Sequence, residues 1–283
     1  MQVYTLNAFS KSHQGGNPAG VVLIADHLSD NEMQQIAAKV GLSETAFVSR
    51  SDKANFRVRF FTPTQEVDLC GHATIATFYL MRYLNIIKKG IYTQETNAGV
   101  LQIEVGKQNV TMEQASPTFY ETIDKATIAH SLNIPYDSIA DNLPVQVVST
   151  GLKDIIVPVK NLNVLNSIKP AFREVASVSK QHNAIGYHIY TLETINGNFA
   201  HCRNLAPLYG IKEEAATGSS SGALACYLNR YGIVNIPSKI ILEQGYTMKK
   251  PSEIAVELSY KPNGAIQVMV GGSANNIEPT QTS

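Results

Sequence analysis

The chain has 283 residues, 44% hydrophobic and 16% charged, enough to bury a substantial core in each of two domains of ordinary size. Its 23 Lys and Arg are balanced by 23 Asp and Glu, which excludes the basic surface that nucleic-acid phosphates call for, and its longest apolar runs, such as 21–25 and 155–159, are strand-sized and too short to span a bilayer. Three widely spaced cysteines, Cys70, Cys202 and Cys226, with no CxxC pair and no signal peptide ahead of them, read as a reducing cytoplasm.

Residues 2–10 favour a strand, and Gly15-Gly16-Asn17-Pro18-Ala19-Gly20 reads as a flexible turn before a second strand at 21–25. Ser29 and Glu32 fit a capping box for a helix with Met33, Ile36, Ala37 and Val40 on one face, stopped at Gly41. Ser43-Glu44-Thr45-Ala46-Phe47-Val48 then puts Glu44 at the start of a strand. The strand 55–61 leads through Pro63, Glu66 and Asp68 into Cys70-Gly71-His72 and an apolar helix. Strands at 91–95, 100–105 and 109–113 follow, and the first domain is expected to end near Ser116-Pro117.

The second half predicts a helix around 125–132, strands at 145–150 and 154–159, a helix around 171–180, and strands at 184–192 and 198–204. Beyond the next helix lie strands at 239–243, 253–260 and 265–270, the last two joined through the hairpin signal Asn263-Gly264. The tail after Ser273 is polar and reads as frayed. Residues 62–83 have an echo here: 198–204 lead through Pro207, Glu213 and Glu214 into Thr217-Gly218-Ser219, and the helix end Tyr227-Leu228-Asn229-Arg230-Tyr231 repeats Tyr79-Leu80-Met81-Arg82-Tyr83. The pattern predicts an α+β protein of two similar lobes, 1–116 and 117–283, each a curved, mostly antiparallel sheet wrapped round a central helix, with the last strand able to pack back on the first lobe. Glycine and small polar residues at the mouth of an apolar helix leave backbone N–H groups open to an anion, so two such mouths suggest one two-sided pocket.

A Cys-Gly at each of two mirrored mouths would suggest a two-thiol racemase, one thiolate removing an α-proton and a thiol returning one. Threonine at 217, opposite Cys70, breaks that scheme, and on residue type Cys70 is foremost a small buried hydrophobe. The titratable groups near the mouths are Glu44, Glu66, Asp68, His72, Glu213 and Glu214, a set that suits a proton-shifting isomerase. Residue type alone leaves Glu44 open between a solvated strand end and an acid/base, His72 between a cap and a functional group, Asn17 between a turn residue and a substrate-binding amide, and Arg203 between a substrate carboxylate and Glu214. Glu213 is expected on the surface. His13, His27, His130, His182 and His188 have no metal-ligand spacing, and no metal site is assigned.

Asn17-Pro18-Ala19-Gly20, Ser43-Glu44-Thr45-Ala46-Phe47, Asp68-Leu69-Cys70-Gly71-His72-Ala73-Thr74 and Ala216-Thr217-Gly218-Ser219, in order across residues 7–231, resemble the motifs of the phenazine-biosynthesis isomerase family (PhzF-like), itself related in fold to diaminopimelate epimerase. The resemblance implies two similar lobes with an active site in the cleft, a homodimer, no cofactor, and a small carboxylated metabolite as substrate. It also implies Glu44 as the acid/base, His72 as its helper and Glu214 as a further catalytic acid, with Asn17, Gly71, Thr217, Gly218 and Ser219 binding substrate. Where the family usually has Asp-Pro before Ala-Thr-Gly-Ser, this chain has Glu214-Ala215, which implies a looser loop and an altered substrate. Beside this isomerase reading stand a Cys70-dependent racemase or epimerase with a non-thiol partner, and a non-catalytic metabolite-binding dimer.

Overall fold

A computed structural model describes residues 1–11 and 15–281. His13 lies outside the described residues. The chain divides into two compact units, Met1–Glu113 with Gly271–Ser283, and Gln114–Val270.

In the first unit the order is β1 (Gln2–Ala8), β2 (Asn17–Val22), α1 (Asp30–Val40), β3 (Thr45–Ser49), β4 (Phe56–Phe61), β5 (Glu66–Val67), α2 (Gly71–Tyr83), β6 (Gly90–Thr96), β7 (Gly99–Val105) and β8 (Val110–Glu113). β1 and β2 are antiparallel, β2 and β3 parallel, β3 and β4 antiparallel; β4 pairs antiparallel with β5 and parallel with β6, and β6, β7 and β8 continue antiparallel. The α1 capping box forms between Ser29 and Glu32, and Gly41 ends the helix at φ 67° with its N–H on the Ala37 carbonyl.

The second unit runs β9 (Thr118–Ile123), α3 (Lys125–Leu132), β10 (Val145–Ser149), β11 (Lys153–Pro158), α4 (Leu162–Ser167), α5 (Phe172–Gln181), β12 (Gly186–Thr191), β13 (Ala200–Ala206), β14 (Ile211–Glu214), α6 (Gly218–Arg230), β15 (Ser238–Gln244), β16 (Ser252–Tyr260) and β17 (Ile266–Gly272). Its pairing repeats the first unit's: β10–β11 antiparallel, β11–β12 parallel, β12–β13 antiparallel, then β13 antiparallel to β14 and parallel to β15, and β15–β16 antiparallel. β9 lies antiparallel on β10 as β18 (Ala274–Gln281) lies on β1. The fold is therefore α+β, with two lobes of like plan.

Each sheet curves round a central helix of 13 residues. α2 packs on β1, β2, β3, β7, β8 and β18, and α6 on β10, β11 and β16. Both helices are buried over most of their surface, because a helix enclosed by a curved sheet has little wet face. Both end alike: the N–H groups of Ile86 and Ile87 converge on the Met81 carbonyl, as those of Ile233 and Val234 do on Leu228.

Two expectations are corrected. Residues 17–20 are strand rather than flexible turn, because β2 is held between β1 and β3; Gly20 is needed there, since a Cβ on it would stand 2.7 Å from Thr45 Oγ1. The polar stretch 274–281 is strand rather than frayed tail, its backbone paired along β1, and it belongs to the first unit. The units divide between Glu113 and Gln114, and the Gln114 N–H bonds the Val268 carbonyl. No helix among the described residues is long and apolar enough to cross a membrane.

Candidate active site

In the first unit, the parallel pairing of β2 with β3 draws Asn17 and Glu44 together: the Gly20 N–H bonds the Glu44 carbonyl, 3.0 Å away. α2 starts beside them, presenting Cys70 and His72 at its mouth. His72 is buried and is the hub. Its Nε2 lies 3.3 Å from Glu44 Oε2 and 3.4 Å from Ser43 Oγ. Its Nδ1 lies 3.5 Å from Asn17 Nδ2 and 3.4 Å from Cys70 Sγ. The Asn17 amide nitrogen is a donor, and a neutral ring that accepts from it at Nδ1 carries its hydrogen on Nε2, towards Glu44.

Glu44 Oε2 is buried, and although His72 stands at ion-pair distance it accepts no aligned hydrogen bond among the described residues. A buried carboxylate oxygen without a donor is costly, and a reacting group that brings a proton would satisfy it. The α2 N-cap, Cys70, gives no side-chain bond to the first turn, and no acid occupies that turn. The opening N–H groups therefore keep their pull on an anion.

The second unit builds its helix mouth differently. Thr217, the α6 N-cap, donates through Oγ1 to Glu214 Oε2 at 2.5 Å. Gln244 at the end of β15 braces this corner, donating through Nε2 to the Glu214 carbonyl (2.8 Å) and to Thr217 Oγ1 (3.1 Å), and accepting the Thr217 N–H (3.2 Å). Three bonds from one amide thus hold the loop that lacks the family's proline. Behind the mouth a buried polar chain runs from Asp154 through Ser220 (2.8 Å) and Asn204 (3.0 Å) to His188 (3.3 Å). Loss of solvation raises the Asp154 carboxyl to about 7, and burial lowers His188 to about 3.

Residues 6–278 match the phenazine biosynthesis-like protein family, PhzC-PhzF. The chain belongs to this family. It is 34% identical over 281 residues to "Uncharacterized isomerase YfhB" of Bacillus subtilis (strain 168), covering 96% of this chain and 95% of the relative. It is 28% identical over 282 residues to the "Trans-2,3-dihydro-3-hydroxyanthranilate isomerase" of Pseudomonas chlororaphis, covering 95% and 94%. The crystal structure of the Bacillus anthracis phenazine biosynthesis protein of the PhzF family superposes with a TM-score of 0.92 at 34% identity, over 100% of this chain and 99% of that one. By this kinship the PhzF-like chain is an isomerase.

Within the PhzF-like fold, Glu44, His72, Asn17 and Gly71 are gathered in the first unit, and Glu214, Thr217, Gly218 and Ser219 in the second. Counting back from the two helix mouths, Glu66 and Glu213 are equivalent, and each closes the same strand pair: Arg59 of β4 is bidentate on Glu66 (2.7 Å, 2.7 Å), and Arg203 of β13 on Glu213 (2.9 Å, 2.9 Å). Glu213 is therefore not a surface residue. Arg203 takes Glu213 rather than Glu214, and its Nη1 also donates to the Leu165 and Ile168 carbonyls. Asp68 is exposed. Cys70 is buried, as a small hydrophobe would be, but its thiol also faces the His72 ring. The residues that the sequence reading left without a role are Ser43, Gln244, Asp154, Asn204 and Ser220. Ser43 sits inside the Ser-Glu-Thr motif and was in view. Gln244 carries no local signal, since only the parallel pairing of β13 and β15 brings it to the mouth of α6.

Proposed function

We propose that this isomerase moves a proton within a small carboxylated metabolite by general acid/base catalysis, without a cofactor. Glu44 takes the proton from a carbon of the substrate and returns it at another position of the same conjugated system. One observation carries this reading: Glu44 Oε2 is buried, accepts no hydrogen bond among the described residues, and stands 3.3 Å from a histidine. A carboxylate oxygen so placed is aimed at a partner that a substrate C–H can supply, which is the geometry that a general base needs. His72 holds the electron-rich intermediate through Nε2–H and keeps the carboxylate aimed. The α2 mouth, with Gly71, and Asn17 bind the polar end of the substrate. In the α6 mouth Glu214 serves as a second acid, and Thr217, Gly218 and Ser219 are given a binding role.

The relative named for trans-2,3-dihydro-3-hydroxyanthranilate supplies the substrate class, a cyclic dihydro amino acid bearing a carboxylate. Glu214 reaches one methylene further than the aspartate usual in the family, and Thr217 already donates to its carboxylate. Both facts favour a substrate altered at the group that Glu214 meets. The reading includes a cytoplasmic homodimer, checked by light scattering of the purified chain.

The test is solvent deuterium incorporation into a panel of such acids, comparing the wild type with Glu44→Gln. The expected result is exchange that falls about a hundredfold or more in the variant, the scale of a lost general base. Exchange that survives Glu44→Gln unchanged would end the assignment. The 3.4 Å approach of Cys70 Sγ to His72 Nδ1 favours one second reading, a Cys70-dependent epimerase. Thiol alkylation that abolishes exchange, with substrate protecting Cys70, would mark that reading instead.

A further inference from the structure

We propose that Glu44, Cys70 and His72 also form a binding site for a thiophilic divalent cation, of which Zn2+ is the type. Each residue offers one ligand atom, a carboxylate oxygen, an imidazole nitrogen and a sulfur, and the three lie within 4.8 Å of one another. His72 Nε2 is 3.3 Å from Glu44 Oε2 and 3.9 Å from Cys70 Sγ. Tetrahedral zinc with bonds of about 2.0 to 2.3 Å sets its ligand atoms roughly 3.3 to 3.8 Å apart. Small side-chain movements therefore suffice to close the three donors on one ion.

The donor set selects the ion. A thiolate with an imidazole suits zinc or cobalt and does not suit magnesium or calcium, which take oxygen ligands. Three protein ligands leave a fourth position open. The scaffold is already built, since Cys70 at the α2 N-cap and His72 in its first turn are each 7% exposed, and Glu44 is held by the β2–β3 pairing. The ion would also answer the buried Glu44 Oε2, which accepts no hydrogen bond among the described residues. Proton accounting is simple: the Cys70 thiol releases its proton to solvent, and the imidazole shifts its proton from Nε2 to Nδ1. There the Asn17 amide accepts it through its oxygen after a half-turn. The other two cysteines do not compete, because burial pushes the Cys226 thiol up to about 12 and the Cys202 thiol higher still.

An ion so held occupies both Glu44 and His72, so it inhibits the isomerase. That consequence rests on the acid/base reading of Glu44; the binding does not.

The experiment is a titration of the reduced, chelator-treated full chain with Co2+, followed by displacement with Zn2+. A thiolate-to-cobalt charge-transfer band in the near ultraviolet, saturating at one equivalent, is expected together with the intense visible bands of a four-coordinate ion. Cys70→Ala and Cys70→Ser should both abolish the charge-transfer band, and Glu44→Gln should weaken binding at least tenfold, as loss of a ligand does. The absence of that band in the folded wild type, or its survival in either Cys70 variant, overturns the site. Deuterium exchange measured on the same samples separates the two claims: a filled site with undiminished exchange leaves the metal site standing and removes Glu44 from catalysis.

Discussion

His72 Nε2 lies 3.3 Å from Glu44 Oε2, and the orientation of the ring that makes this approach is set on its other side by Asn17 Nδ2 at 3.5 Å. Asn17→Ala removes that donor, leaves the weaker Cys70 thiol beside Nδ1, and so frees the imidazole to place more of its hydrogen there. One neutral hydrogen bond is worth about 1 kcal/mol, so kcat/KM should fall about fivefold. Nitrogen NMR of His72 should show the Nε2–H tautomer losing its dominance. A variant with full activity and an unaltered tautomer would mean that the fold, not Asn17, fixes the ring.

The buried chain behind α6 predicts opposite pH terms. The Asp154 carboxyl, raised by burial from 3.8 to about 7, holds in the folded state a proton that the unfolded chain has released, so its contribution to stability falls as pH rises through that window. His188, lowered by burial from 6.5 to about 3, is neutral when folded and protonated when unfolded, so its contribution rises with pH through its own window. Where the windows overlap the two terms offset each other. Asp154→Asn keeps an acceptor for Ser220 and removes only the first term. Its stability by urea unfolding should therefore climb from pH 4 to pH 6.5 with a slope of up to about 1.4 kcal/mol per pH unit, while the wild type stays flatter. Parallel curves for the two proteins would refute the assignment.

Arg203 and Glu213 are less exposed than Arg59 and Glu66, with side chains 7% and 15% exposed against 14% and 26%. Glu213→Gln leaves a buried guanidinium without its counter-charge, a change that costs about 3 kcal/mol or more where burial is deep. Glu66→Gln should cost less, since Arg59 keeps Asp30 at 2.6 Å. Denaturant midpoints of the two variants give the comparison, and equal losses would show that burial does not separate the pairs.

Gly20→Ala places a methyl 2.7 Å from Thr45 Oγ1 and 3.0 Å from its Cγ2. Overpacking of this kind costs about 1 to 3 kcal/mol. Because β2 and β3 carry Asn17 and Glu44, the substitution should lower activity as well as stability. Adding Thr45→Ala removes both crowding atoms and should restore most of each. If the double variant is no better than the single, the cost comes from strand backbone and not from that contact.

Local signals settled much of this protein. The Ser29–Glu32 capping box, the stop at Gly41, the two apolar helices and the echo between residues 62–83 and the second half are all encoded within a few residues of where they act, and the structure holds them there. The motifs that pointed to a PhzF-like isomerase are equally local, and Glu44 and His72 could be named from them. What only the tertiary structure decided is which partners those residues have. The polar tail became β18 because an edge of β1 needed pairing, and residues 17–20 became strand because two neighbours held them. Arg203 chose Glu213, Gln244 reached the α6 mouth, and the Cys70 thiol came to face His72, through strand pairings and a helix start that no sequence spacing announces. Backbone propensity acts over one or two turns, whereas a buried charge or thiol is satisfied by whatever the sheet brings beside it, and that is a property of the pairing and not of the chain.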